Sequence, residues 1–184
     1  SPEKIASYFA ASKLATLVGF IVISVSAISA PMFTAFHALG DRKGLQRLAC
    51  QSAAFMLVLA VLPCSLLIAF PGYWLDFFGP GFKQADSTLV ILVLGQIVYV
   101  CCGAVSPLLA MTGNEKIMSK IFLVTAVATI GVSLLAGREW GTLGVAIATT
   151  IGIVSWNFWM LLVVRRLLGF WVLPRLMRKL PKPL

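Results

Sequence analysis

The chain has 184 residues, of which 60% are hydrophobic and 11% are charged, and its mean hydropathy is +0.98. A soluble domain needs roughly a quarter of its residues charged, so this composition excludes an ordinary soluble protein and indicates a membrane protein. The net charge is +9, but the sequence lacks the pattern of basic residues interleaved with aromatic residues that is typical of nucleic-acid-binding grooves. We therefore expect no nucleic-acid partner, and we expect anionic lipid headgroups instead.

The charged residues divide the chain into long uncharged segments, namely 14–40, 48–75, 87–114, 121–137 and 140–164. About 20 residues of helix cross the hydrocarbon of a bilayer, and about 17 is the lower limit. Unpaired backbone groups are too costly in lipid for any structure but helices or closed barrels, and the two-residue alternation of barrel strands is absent. The sequence predicts an all-α, polytopic membrane helix bundle with transmembrane helices at about 2–39, 46–70, 86–111, 116–137 and 141–165.

The first predicted helix carries one cation well inside it. Ser1, Pro2 and Glu3 are typical of a helix start, which places Lys13 about 16 Å along the helix at 1.5 Å per residue. Two interpretations stay open: the ammonium group extends outward to water, or it lines a cavity that accepts an anion.

Prolines interrupt the first three predicted helices at Pro31, Pro63 and Pro107. Each removes a backbone donor and crowds the preceding turn, so a kink is expected at each.

The connection at residues 70–86 combines helix breakers with aromatic residues that suit the headgroup level of a bilayer. The predicted aromatic girdle consists of Tyr73, Trp74, Phe77, Phe78 and Phe82.

Cations are distributed unevenly between the two ends of the predicted bundle. Of the 15 Lys and Arg residues, 11 fall in the connection 41–47, in the turn "TGNEK" at 112–116 with Lys120, and after residue 164, whereas 4 fall at the other end. By the positive-inside rule, the turn and the C-terminus are expected in the cytoplasm. Residues 170–184 are predicted to form a basic tail on the inner leaflet.

Polar residues inside the predicted helices are candidates for substrate contact. Gln96 and Asn157 either hydrogen-bond between helices or touch a polar solute, and with Lys13 they form the predicted substrate-binding set. Gly144, Ala148 and Gly152 form a stripe of small residues, which favours close helix packing within the bundle over a dimer face.

No residue pattern indicates catalysis, a metal site or a cofactor. The four cysteines lack zinc-site spacing and are expected to be buried small hydrophobic residues, and His37 is the only histidine. All six acids fall at helix ends or in connections, so no predicted span offers the buried carboxylate that cation coupling usually needs. There is no phosphate loop, and neither enzyme activity nor direct use of ATP is expected.

Five segments, in this order, resemble the C-terminal lobe of polysaccharide and lipid-linked oligosaccharide flippases of the MOP (MATE-like) exporter superfamily. They are "YFAASKLATL", "SAPMFTAFHALGDRKGLQRL", "LDFFGPGFKQA", "LLAMTGNEK" and "GTLGVAIATTIGIVSWNFWMLLVVRRLLG". The resemblance extends to about residue 169, and each motif consists mainly of glycines, prolines and turn residues.

The resemblance implies a bacterial inner-membrane protein with two lobes of six helices, which moves a polyprenyl-diphosphate-linked glycan by alternating access. This chain would supply the last five helices, and the first lobe of the same protein would precede it, as the absence of a starting methionine and of a signal peptide also suggests. Two alternatives stay open: a cation-coupled drug or metabolite antiporter of the same fold, and a non-transporting scaffold for glycan-synthesis enzymes.

Overall fold

The computed structural model describes residues 2–79 and 82–174, and leaves the side chains of residues 2–4, 83 and 84 undescribed. The described residues are helical or in short turns, without a strand, which confirms the all-α prediction. The helices are α1 (Pro2–Leu17), α2 (Gly19–Ala38), α3 (Arg42–Ala69), α4 (Pro71–Asp76), α5 (Asp86–Cys101), α6 (Val105–Met111) and α7 (Glu115–Leu168), with a 3-10 turn at Phe82–Ala85.

Long apolar helices dominate the described chain. Three stretches are long and apolar enough to cross a membrane, and α5 with α6, bent by 42°, makes a fourth. The three are Ile5–Ala38, Arg42–Ala69 and Glu115–Leu168.

The last of these stretches folds back on itself. A straight helix of 54 residues would be about 80 Å long and would place Thr129 and Gly152 about 35 Å apart. Instead, a Cβ atom built on Gly152 would overlap the Thr129 hydroxyl, and one built on Gly144 would overlap the Ala136 carbonyl. The chain reverses at Gly141, whose φ of 60° and ψ of −138° are non-helical. Residues 115–140 and 142–168 therefore form two antiparallel arms of α7.

The small-residue stripe of Gly144, Ala148 and Gly152 lies at the contact between these two arms. Gly144 and Gly152 face the first arm directly, and Ala148 is 3% exposed. The prediction that this stripe packs inside the bundle is confirmed.

The bundle has two hydrophobic cores, one toward each end. One core joins residues near the turns at 39–41 and 112–114, and its members include Phe33, Leu45, Leu108, Ile121 and Val164. The other joins residues near segment 70–85 and includes Val18, Met56, Leu75, Leu89 and Ala146. Sequential helices thus run in alternating directions, and we call these the basic end and the aromatic end. The cation-rich segments 42–47, 116–120 and 165–166 all lie at the basic end.

The breaks in helix assignment lie only partly at the prolines. Helices α2 and α3 continue through Pro31 and Pro63, whereas the first long helix is interrupted at Val18. There the Val18 amide donates to the Ala15 carbonyl at 3.2 Å, a tighter i to i−3 bond. Proline is tolerated in membrane helices where the surroundings absorb the lost bond.

The break between α5 and α6 does match the expectation for Pro107. Cys102, Gly103 and Ala104 are non-helical, and Pro107 follows in the first turn of α6. Because Pro107 has no amide hydrogen to offer the Gly103 carbonyl and its ring crowds that turn, the helix bends before it.

Just after α7, Gly169, at φ 80°, ends the helix, and the following Phe170 and Val172 are buried at 8% and 1% exposure. The Cys50 thiol approaches the Trp171 carbonyl at 3.7 Å. Phe170 and Val172 belong to the hydrophobic core at the basic end, so this first part of the predicted tail packs against the bundle. Residues 175–184, the rest of the predicted tail, lie outside the described residues.

The antiparallel arms predict a specific cross-link. In a version without the four native cysteines, the pair Gly137→Cys and Val145→Cys should form a disulfide on mild oxidation, because a Cβ atom on residue 137 would stand 3.0 Å from the Val145 Cγ2 atom across the two arms. A control pair, Gly137→Cys with the exposed Ile147→Cys, should not. Mass spectrometry of linked peptides reads the result, and a disulfide in the control pair alone would contradict the hairpin.

Candidate functional site

A groove of about 710 Å³ lies between the α1–α2 helix, α5 and the second arm of α7. Most of its wall is aliphatic or aromatic, and its polar groups are few. The side chains that give it chemical character are Lys13, Thr16, Phe20, Phe78, Gln96, Tyr99 and Trp156.

The groove exists because α2 begins with a glycine at the point where two side chains of α5 face it. Gly19 lies opposite α5. A Cβ atom built on it would stand 3.7 Å from the Tyr99 ring and 3.8 Å from Oε1, the side-chain amide oxygen of Gln96. Gln96 and Tyr99 are three residues apart on α5 and so share one face of that helix. Any larger side chain than alanine at position 19 would enter the groove.

Stacked aromatic rings form the wall on the side of α7. The Trp156 indole stacks on the Tyr99 ring with centroids 6.0 Å apart, and the Phe122 ring meets the same indole edge-on at 5.4 Å. Such pairs hold each other in defined orientations. The wall is therefore a fixed flat platform, suited to the apolar face of a sugar ring or to a lipid chain.

Lys13 supplies the positive charge of the groove. It is exposed, its Nζ atom lies 5.0 Å from the centroid of the Phe9 ring, and no described carboxylate pairs with it. A cation without a counter-ion beside low-dielectric walls attracts an anion strongly. The structure thus places Lys13 among the groove-lining residues, with its ammonium group beside Phe9, one turn earlier in α1 and outside the groove lining.

Gln96 and Asn157 have different environments. Gln96 is 8% exposed, borders the groove and makes no hydrogen bond with another described residue, so its amide is available to a solute. Asn157 is 1% exposed, does not line the groove, and donates to the Ile153 carbonyl of its own helix at 2.8 Å. The structure brings Lys13 and Gln96 to one groove, whereas Asn157 lies outside that groove and its amide bonds within its own helix.

Sequence analysis missed the aromatic platform. Tyr99 and Trp156 lie within predicted helices, and aromatic residues were considered only in the connection 70–86. A usable signal was present, because Tyr99 follows Gln96 at the three-residue spacing that puts both on one helix face.

Within the described ranges, the cysteines and acidic residues do not gather into a metal site. Among the described residues, no group of three His, Cys, Asp or Glu side chains could hold a metal ion. Cys50 and Cys64 are buried as predicted, while Cys101 and Cys102 are half-buried, and all four are free thiols. Asp86, the first residue of α5, has one carboxylate oxygen buried without a partner, but it lies at the aromatic end and does not line the groove.

Comparisons with protein-family models, with curated proteins and with solved structures found no significant match. Over residues 2–79 and 82–174, the observed features define an all-helical protein with membrane-length apolar helices and a cationic, aromatic-lined groove.

Thiol reactivity can test whether the groove admits a charged solute. In a version without native cysteines, Gln96→Cys should react with an anionic methanethiosulfonate, while the buried Asn157→Cys should stay unreactive. Adding Lys13→Gln should slow the anionic reagent several-fold relative to a cationic one, because the attraction of the ammonium group is lost. Equal reactivity at positions 96 and 157, or an unchanged ratio of the two reagents, would show that the groove is not a charged, accessible site.

Proposed function

We propose that the chain is part of the C-terminal lobe, five of its six helices, of a transporter that flips a polyprenyl-diphosphate-linked oligosaccharide across the bacterial inner membrane by alternating access. The observation that carries the proposal is the juxtaposition of the unpaired Lys13 with Gln96 and the Tyr99–Trp156 platform in one groove. No covalent chemistry is needed for this task.

The groove offers a matching group for each part of such a substrate. The ammonium group of Lys13 suits the diphosphate, the amide of Gln96 suits sugar hydroxyls, and the aromatic platform suits the face of a sugar ring. The apolar remainder of the groove tolerates the first units of the lipid chain. Stripping water from a diphosphate is prohibitively costly, so a cation-bearing cavity removes the main barrier to crossing.

The proposed topology has five membrane spans, because the two arms of α7 count as two. Each arm has over 20 residues, which is long enough to cross about 30 Å of hydrocarbon. The basic end lies in the cytoplasm by the positive-inside rule, and anionic lipids surround it. The first lobe of the same protein would cover the groove from the opposite side.

The antiporter alternative has less support from the groove itself. Coupling to protons or sodium usually needs a carboxylate in the membrane interior, and no described acid lines the groove. The scaffold alternative has no specific structural feature in its favour.

Lys13→Gln should lower flipping of a short-chain diphosphate-linked saccharide by about tenfold, the effect of losing one charge-assisted contact of roughly 1.5 kcal/mol. The assay uses the complete protein in proteoliposomes and scores substrate reaching the opposite leaflet. Arg138→Gln is the matched control, since it removes an equal charge outside the groove.

Because the Lys13 side chain is exposed, the amount of Lys13→Gln protein in the membrane should stay unchanged. Equal flipping by the two variants at equal protein amounts would overturn the role of Lys13. Transport of an organic cation driven by a proton gradient would favour the antiporter instead.

A further inference from the structure

A second groove, of about 620 Å³, opens at the basic end between the two arms of α7. Ile117 and Ile121 form its wall on the first arm, and Trp159 and Leu162 contribute on the second. Arg165 and Arg166 lie at its end, one turn further along the second arm. The groove thus has apolar walls along most of its length and two cationic side chains at one end.

The two arginines are not neutralised within the described part of the chain, where neither pairs with a carboxylate. Arg165 is also held in place, because its guanidinium carbon lies 4.6 Å from the centroid of the Trp171 ring. That ring is available because Gly169 turns the chain back and Phe170 and Val172 anchor the returning segment in the core. The cationic end is therefore partly preorganised, which lowers the ordering cost of binding an anion.

We propose that this groove binds an anionic phospholipid, with the phosphate on Arg165 and Arg166 and one acyl chain along Ile117 and Ile121. Guanidinium groups bind phosphate oxygens in a bidentate manner. Basic pockets between membrane helices at the cytoplasmic side are typical sites for anionic headgroups.

The apolar wall distinguishes a lipid from a soluble phosphate. A free phosphate would use the arginines alone and leave the isoleucines and the 49%-exposed Trp159 without a partner. A phospholipid would occupy both the apolar wall, with its acyl chain, and the two arginines, with its phosphate. Trp159 has the amphipathic character of residues at the headgroup level. The site lies outside the transport groove and does not depend on the proposed substrate.

The test measures lipid binding to the purified chain by native mass spectrometry, with phosphatidylglycerol, diphosphatidylglycerol and phosphatidylcholine offered at equal concentration. The unaltered chain should retain the anionic lipids in preference to phosphatidylcholine. The double variant Arg165→Gln/Arg166→Gln should weaken that retention about tenfold or more, because both charge-assisted guanidinium contacts to the phosphate are lost.

Two further variants separate a built site from general attraction. Lys116→Gln/Lys120→Gln removes the same charge from the basic end but outside the groove, and it should change retention less than twofold. Ile117→Trp keeps every charge and fills the groove at a partly exposed position, so it should weaken retention several-fold.

Three outcomes would overturn the proposal. They are equal retention of phosphatidylcholine and phosphatidylglycerol, equal losses in the two double variants, and displacement of the lipid by millimolar inorganic phosphate. Because flipping is assayed separately, failure of this site would leave the proposed transport function intact, and the reverse also holds.

Discussion

The reversal of the chain at Gly141 is the constraint on which the other features depend. It returns the second arm of α7 along the first, so that Trp156 reaches Tyr99 and closes the wall of the groove that contains Lys13. It also carries Arg165 and Arg166 back to the end that already holds Arg42, Lys116 and Lys120. A straight helix would remove the wall and send the arginines to the opposite side.

Close packing at small residues keeps the two arms together. Between helices in lipid there is little hydrophobic driving force, so association relies on van der Waals contact and on hydrogen bonds. Gly144 and Gly152 allow the first arm to approach at backbone distance, and Thr150 donates to the Ile91 carbonyl at 3.0 Å, which ties the second arm to α5. These contacts fix the position of the groove relative to α1.

Polar groups in the bundle divide into those that bond locally and those that remain available. Asn157, Thr112 and Thr149 bond to the carbonyl four residues earlier, so their cost of burial is met within their own helices. Gln96 and Lys13 have no such partners, and both border the same groove. Two polar side chains without partners thus border one groove, while the partnerless buried oxygens of Ser26 and Asp86 lie outside it.

Helix ends were predictable from the sequence because charged and turn residues mark them. The first helix was expected at about 2–39 and spans residues 2–38, and the third was expected at about 86–111 and is observed with a break between α5 and α6. The groove was only half predictable. Lys13 was identified by its position well inside the first helix, whereas the contact of Trp156 with Tyr99 depends on how the second arm is rotated about its axis. Rotation follows from glycine contacts such as Gly152 with Thr129, which one-dimensional spacing does not contain.

Sided labelling of single cysteines tests the membrane-threaded hairpin most directly. In intact spheroplasts and in inverted vesicles, an impermeant maleimide would be applied to cysteine-free protein carrying Lys116→Cys, Arg138→Cys or Arg166→Cys. With the basic end in the cytoplasm, positions 116 and 166 should react only in inverted vesicles and position 138 only in spheroplasts. Labelling of positions 116 and 166 from opposite sides, or of all three from one side, would contradict this topology.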